Sequence, residues 1–215
     1  MTVDKSNSAL LIIDVQNDFC PGGSLAVQEG DKIVPIINRL MPGFKKVAAT
    51  QDWHPRNHVS FASNHRGKKP FDTIELSRGT ETQVQVLWPD HCIPGTPGAD
   101  FHPDLDTRGL DLVIRKGRDQ DLDSYSAFFE NDRRTYTGLE FYLNGFKFNE
   151  LFLTGLATDF CVFYSAMDAV QLGFQVYLLE DAARGIDTPA GSLEQRLNDM
   201  QAAGVQILQS TELSF

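Results

Sequence analysis

The residues with the widest chemical reach fall just past apolar runs. Asp14 ends the run Ala9–Ile13, Asp52 ends Val47–Gln51, Lys116 ends Leu112–Arg115, and Cys161 follows Leu151–Gly155 by way of Leu156–Phe160. A cysteine can attack a carbonyl carbon once its thiol, which ordinarily titrates near pH ~8.5, gives up its proton. A strand-to-helix step would put Cys161 in the first turn of a helix. Partial positive charge there favours a thiolate, and unpaired N–H groups can hold an oxyanion. Asp14 is the natural acceptor for the thiol proton and a later donor to a leaving amine. Lys116 would stabilise the charged arrangement and lower the thiol pKa. Singly, each residue has a plain structural explanation: a core cysteine, a cap for a turn, a solvated strand end. Their shared placement at strand ends turns them into a site, because ligands of open α/β sheets bind beyond the carboxyl ends of the strands. Cys20 and Cys92 are read as buried structural residues.

A second group is built for a cation. In the extended segment Gln51-Asp52-Trp53-His54-Pro55, Asp52 and His54 are two apart and point the same way. His91, in a loop stiffened by Pro89 and Pro94, is the third ligand of choice. One carboxylate and two imidazoles suit zinc, iron or manganese and leave positions open for water or substrate. His58 is a further or water-mediated contact outside this set, and His65 and His102 are read as loop histidines.

Positioning these residues falls to a regular framework. Ala9–Val15, Val47–Gln51, Leu112–Arg115, Leu151–Gly155, Val176–Leu179 and Val205–Leu208 read as strands buried on both faces. Asp31–Leu40, Leu139–Asn144, Asp159–Leu172 and Gly191–Ala203 read as the helices between them. The alternation predicts an α/β chain folded as a three-layer αβα sandwich on a mostly parallel central sheet, with residues 1–215 forming a single domain. Residues 53–111 break the alternation and hold all five histidines. The aromatics Trp53, Phe61, Phe71, Trp88 and Phe101 are expected to pack this excursion down. A net charge of -10 argues against nucleic acid and against anionic membranes as partners. There is no apolar run of the roughly 20 residues that span a bilayer, and no apolar core near the start. These features suggest a cytoplasmic protein whose three cysteines are free thiols.

The motifs, taken together, resemble a known group. LIIDVQNDF (Leu11–Phe19), PGGSL (Pro21–Leu25), QDWHP (Gln51–Pro55) with Ser60-Phe61, WPDHC (Trp88–Cys92), RKG (Arg115–Gly117), DSYSAF (Asp123–Phe128) and GLATDFCV (Gly155–Val162) occur in the order found in the nicotinamidases of the isochorismatase-like cysteine hydrolases. The resemblance implies the isochorismatase-like hydrolase fold and a catalytic triad of Asp14, Lys116 and Cys161. It implies one divalent ion, zinc first and iron or manganese as alternatives, on Asp52, His54 and His91. It further implies a cis peptide from Leu156 to Ala157 that aims the Ala157 N–H, with that of Cys161, at the substrate oxygen. Phe19 and Trp88 would sandwich an aromatic ring, and Tyr125 would close the pocket. The implied activity is hydrolysis of nicotinamide to nicotinate and ammonia through a cysteine thioester, serving NAD salvage, with pyrazinamide as a related substrate and a homo-oligomer left open. Two rivals remain at this point: a carbamoyl or ureido amide hydrolase of the same superfamily, and a non-catalytic metal-binding or thiol-sensing domain.

Overall fold

The computed structural model describes residues 1–78 and 81–215. Six strands form one parallel sheet: β1 (Ser8–Ile13), β2 (Val47–Asp52), β5 (Leu112–Lys116), β6 (Glu150–Leu156), β7 (Gln175–Arg184) and β8 (Gln206–Leu208). Their spatial order is β5-β2-β1-β6-β7-β8. The chain lays β1, β2 and β5 in one direction, then returns to the far side of β1 for β6, β7 and β8. The order therefore reverses between β1 and β6, the crevice where open α/β sheets bind ligands.

The run in β1 is apolar throughout because both of its faces are covered. Leu10 and Ile12 enter one core, with Ile33, Val34, Ile37 and Leu40 from α1 (Val34–Leu40) and the turn before it. Ala9, Leu11 and Ile13 enter the other. That second core also takes Leu139 and Leu143 from α2 (Leu139–Gly145), Ala166 and Ala169 from α3 (Phe163–Gln171), and Met200 from α4 (Ser192–Ala202). Period-two alternation thus feeds two helical layers, as anticipated for a three-layer α/β fold.

Several boundaries move. β7 continues to Arg184, well past the expected Leu179. The helix expected from Asp159 opens instead with a π turn over Thr158–Val162, and that expected from Asp31 with a 3₁₀ turn over Gly30–Ile33. The 53–111 excursion contains an antiparallel hairpin of β3 (Thr73–Arg78) and β4 (Glu81–Val86) that was not anticipated. Phe61 and Trp88 are buried there, and Trp53 and Phe101 pack on the core. Phe71 departs from the expectation: it lies edge-on to Trp88 but stays 49% exposed. Among the described residues no helix is long and apolar enough to cross a membrane.

Candidate active site

The crevice between β1 and β6 is polar where the strands end. Asp14 directly follows β1, Asp52 and Lys116 are the last residues of β2 and β5, and the turn after β6 carries Cys161. Parallel pairing sets Asp52 beside Lys116 in register, so two opposite charges emerge from neighbouring strands at one level. Gly155 permits the close approach of β6 to β1: at φ +114, an added Cβ would lie 2.0 Å from the Ile13 carbonyl oxygen. Gln16 fastens the other flank. Its Oε1 accepts from the Asp52 N–H at 2.8 Å, and its Nε2 donates to the Asp52 carbonyl at 2.9 Å.

Lys116 is the centre of the arrangement and is fully buried. Its ammonium donates to Asp52 Oδ1 at 2.5 Å, to the Ser124 carbonyl at 2.9 Å and to Cys161 Sγ at 3.5 Å. It also lies 3.0 Å from Asp14 Oδ2. Thr50 Oγ1 donates to Asp14 Oδ1 at 2.6 Å, whereas Oδ2 accepts no aligned hydrogen bond. A carboxylate oxygen of Asp14, one of Asp52 and the Cys161 sulfur all lie within 4.8 Å of one another.

Two carboxylates on one ammonium take different roles. Burial raises the pKa of Asp14, more than the Lys116 charge lowers it. Burial acts on Asp52 too, but there Lys116 and His54 prevail and hold it well below the usual carboxylate range. Asp52 therefore stays ionised, and Asp14 is the group able to take and return a proton. Burial would strip the proton from Lys116, yet Asp14, Asp52 and Cys161 keep its pKa well above the usual value. The thiol differs from the expectation drawn from a helix start. Burial pushes Cys161 well above its usual value; Lys116 pulls it down, while Asp14 and Asp52 push it further up. The sulfur thus keeps its proton until a base removes it. Cys20, pushed up to about 11 by burial and by Asp31, and Cys92, raised by burial and nearby carboxylates, are protonated too, and neither lines the pocket that Cys161 opens on.

The histidines beside Asp52 are oriented by their outer nitrogens. His54 Nδ1 lies 2.8 Å from the Gly117 carbonyl, and His91 Nδ1 lies 2.8 Å from the Pro89 carbonyl. A carbonyl only accepts, so both Nδ1 atoms carry hydrogen, and the Nε2 atoms are the ones that present lone pairs when the rings are neutral. Burial lowers the pKa of His54, but Asp52 outweighs it and holds it up. Those Nε2 atoms face Asp52 Oδ2 at 3.5 and 3.8 Å. Gly117, at φ +62, makes this possible, since an added Cβ would lie 2.2 Å from the His54 ring. Asp52, His54 and His91 are all buried, with ligand atoms within 4.8 Å of one another. Two fixed imidazole lone pairs and an ionised carboxylate fit a divalent metal ion.

His58 has a different role. It stacks on His54 at 4.1 Å between ring centroids. Its Nε2 is 3.2 Å from the Leu122 carbonyl and its Nδ1 2.7 Å from Ser60 Oγ, so both nitrogens are engaged within the protein. Burial and the neighbouring His54 lower its pKa to about 4. A folded pKa below the unfolded value of about 6.5 stabilises the fold above that pH, and the contribution is lost as pH falls from about 6.5 through 4. His58→Gln should therefore flatten the loss of melting temperature across that window, measured by thermal unfolding at a series of pH values. An unchanged slope would remove His58 as its source. His65, which reaches the Val59 carbonyl, and His102, bonded by the Asp104 N–H, remain loop residues.

Asp52, His54, His91 and Cys161 open on one pocket of about 350 Å³, its solvent-facing mouth included, which is also lined by Phe19, Leu25, Trp88, Asp123, Ser124, Tyr125, Ala157, Phe160 and Ile186; Asp14 and Lys116 are not in that lining. Phe19, Trp88 and Tyr125 are brought to it as anticipated, and the Trp88 Nε1 donates to the Tyr125 hydroxyl at 3.2 Å. The peptide from Leu156 to Ala157 is cis. Sequence reasoning missed Leu25, Asp123, Ser124, Phe160 and Ile186. Asp123 is held by the Ser124 N–H at 2.8 Å and by Gln85 Nε2, from β4, at 2.6 Å. Asp159 fixes Ile186 by accepting from the Ile186 and Asp187 N–H groups at 2.9 and 2.8 Å. DSYSAF contains Asp123 and Ser124, GLATDFCV contains Phe160 and PGGSL contains Leu25, and these motif positions were the available signal; Ile186 lies in none of them.

Known proteins share this framework. The profile of the Isochorismatase domain matches residues 8–212. A nicotinamidase from Acinetobacter baylyi is 50% identical over 208 residues, spanning 97% of this chain and 95% of the relative. The structure of a nicotinamidase pyrazinamidase from Acinetobacter baumanii superposes with a TM-score of 0.91 at 54% identity, covering 96% of this chain and 98% of that one. A pyrazinamidase of Pyrococcus horikoshii, solved in complex with zinc, gives a TM-score of 0.75 at 36% identity over 94% of this chain and 99% of its own. With the domain match spanning nearly the whole chain and a relative at this identity, the chain belongs to the isochorismatase family.

Proposed function

We propose that this protein is a nicotinamidase, hydrolysing nicotinamide to nicotinate and ammonia for NAD salvage. The observation that carries the reading is the single pocket in which Cys161, the Asp52–His54–His91 cluster and the aromatic walls Phe19 and Trp88 meet. A flat heteroaromatic carboxamide suits such a site: apolar walls for the ring and a few polar groups to orient it. The similarity to nicotinamidases over nearly the whole chain supports the same substrate.

The ring lies between Phe19 and Trp88, with Tyr125 closing over it, and the carboxamide carbon meets Cys161. As sulfur attacks, the thiol proton passes to Asp14, and a C–S bond forms while the carbonyl becomes an oxyanion. The N–H groups of Ala157 and Cys161 receive that oxyanion; one such donor is typically worth about 2.7–4 kcal/mol. Asp14 returns the proton to the departing nitrogen, the C–N bond breaks, and ammonia leaves a thioester. Water then attacks the thioester carbon, Asp14 again takes and returns the proton, and nicotinate is released with Cys161 as thiol. Lys116 steadies the sulfur and fixes Asp14 throughout. Asp52, His54 and His91 would hold one divalent ion, zinc by preference, which when bound orients the ring nitrogen and water. Zinc in the Pyrococcus pyrazinamidase supports that choice.

Ammonia release from nicotinamide, pyrazinamide and a set of ureido amides tests the substrate on metal-analysed protein. Turnover of nicotinamide is the expected result, and ureido turnover without it would replace the reading. For the ion, Asp52→Ala combined with His54→Ala should bring bound metal to background by elemental analysis. Metal retained at full stoichiometry would refute the site.

A further inference from the structure

Phe160 immediately precedes the nucleophile and belongs to two cavities at once. The inner one is the reaction pocket, of about 350 Å³ with its open mouth included. Beyond it lies an outer cleft of about 1050 Å³, counting its solvent-facing mouth, bounded by Val84 and Val86 of the hairpin, Tyr164 of α3 and Pro189. Among the described residues only Tyr125 and Phe160 line both, so these two rings are the wall between them.

The two halves of the wall are not equivalent. Tyr125 is fixed at both ends: its hydroxyl accepts from Trp88 Nε1 at 3.2 Å, and its ring stacks on Tyr164 with centroids 5.1 Å apart and planes at 19°. Phe160 has no polar anchor. Its ring meets Trp88 edge-on at 4.9 Å and Tyr125 at 5.8 Å, held by packing alone. It is half-buried, whereas Cys161 beside it is buried. Shortening Phe160 would join the pocket to the cleft without breaking a hydrogen bond and without touching Asp14, Lys116 or the Asp52 cluster.

We propose that Phe160 sets the size limit on the substrate ring, and that the outer cleft behind it is a subsite for an apolar or aryl substituent on a heteroaromatic carboxamide. The proposal rests on the reading of the inner pocket as a nicotinamide site. Val84, Val86, Tyr164 and Pro189 give the cleft apolar surface for such a group, beside the charged side chains of Glu130, Arg133, Asp159, Asp168 and Arg196 that also line it.

The test is the ratio of kcat/KM for phenyl- or alkyl-substituted pyridine-3-carboxamides to kcat/KM for nicotinamide, read within each protein. Phe160→Ala should raise the ratio on the order of 10-fold or more, and Phe160→Trp should lower it below wild type. Adding Val84→Trp to Phe160→Ala fills the outer cleft and should reverse the gain. Phe160→Leu reads the same ratio should the alanine variant fail to fold. A ratio that does not move with the size of residue 160, or a gain that survives Val84→Trp, overturns the subsite while leaving nicotinamide hydrolysis intact. A wild-type protein inactive on nicotinamide overturns the underlying function instead, so the two failures are distinct.

Discussion

Cys161→Ala should release no measurable ammonia from nicotinamide, a loss on the order of 10⁴-fold or more, while the fold and bound metal persist. The size follows from the chemistry: without sulfur there is no thioester, and the remaining oxyanion donors and ring contacts act only on direct attack by water. Little else should change, because Cys161 is a small side chain whose sulfur receives one long 3.5 Å contact from Lys116. Circular dichroism, elemental analysis and an ammonia assay on one preparation separate these effects. Activity within about tenfold of wild type would exclude Cys161 as the nucleophile.

Lys116→Met should have the largest effect on stability. The ammonium is buried with Asp14 and Asp52, and its removal leaves two carboxylates without their cation. Breaking a buried pair on one side typically costs about 3–5 kcal/mol. For a chain of this size that lowers the melting temperature by about 6–20 °C. Activity should be lost with it, since Asp14 and the sulfur lose the group that holds them. In an Asp14→Asn background the same substitution should cost less stability, because one of the two stranded charges is already gone. Equal costs in both backgrounds would mean that the Asp14–Lys116 contact contributes nothing.

The parts legible in the sequence are those written in local pattern. Six apolar runs became six parallel strands: β1, β2, β6 and most of β7 are covered on both faces and need no polar alternation, whereas the edge strands β5 and β8, also expected to be covered, are only partly buried because each lacks a neighbour on one side. Asp14, Asp52, Lys116 and Cys161 could be brought together from sequence because each follows such a run and parallel strands end on the same side of the sheet. The β3–β4 hairpin was legible in principle: Ile74 and Leu76 alternate with Thr73, Glu75 and Ser77, and Val84 and Val86 flank Gln85. The Pro, Gly and Asn of its surroundings mask that alternation. Gln16, Asp123 and Asp159 lie in the motifs, but what each does there was not legible, since their roles depend on partners brought close only by folding. The state of the thiol was hidden for a related reason. Position at a helix start is visible in sequence, but the burial that outweighs it belongs to the packed site.

The central position of β1 has a consequence for biosynthesis. β1 pairs with β2 on one flank and with β6 on the other, and β6 lies far downstream. A nascent chain that has left the ribosome only through β5 can close one side of β1 and must wait with the other bare. That interval exposes an apolar, unpaired edge of the kind that recruits other chains. Products truncated before β6 should accordingly associate with one another rather than fold, and the site cannot form until the segment from β6 through Cys161 has been made.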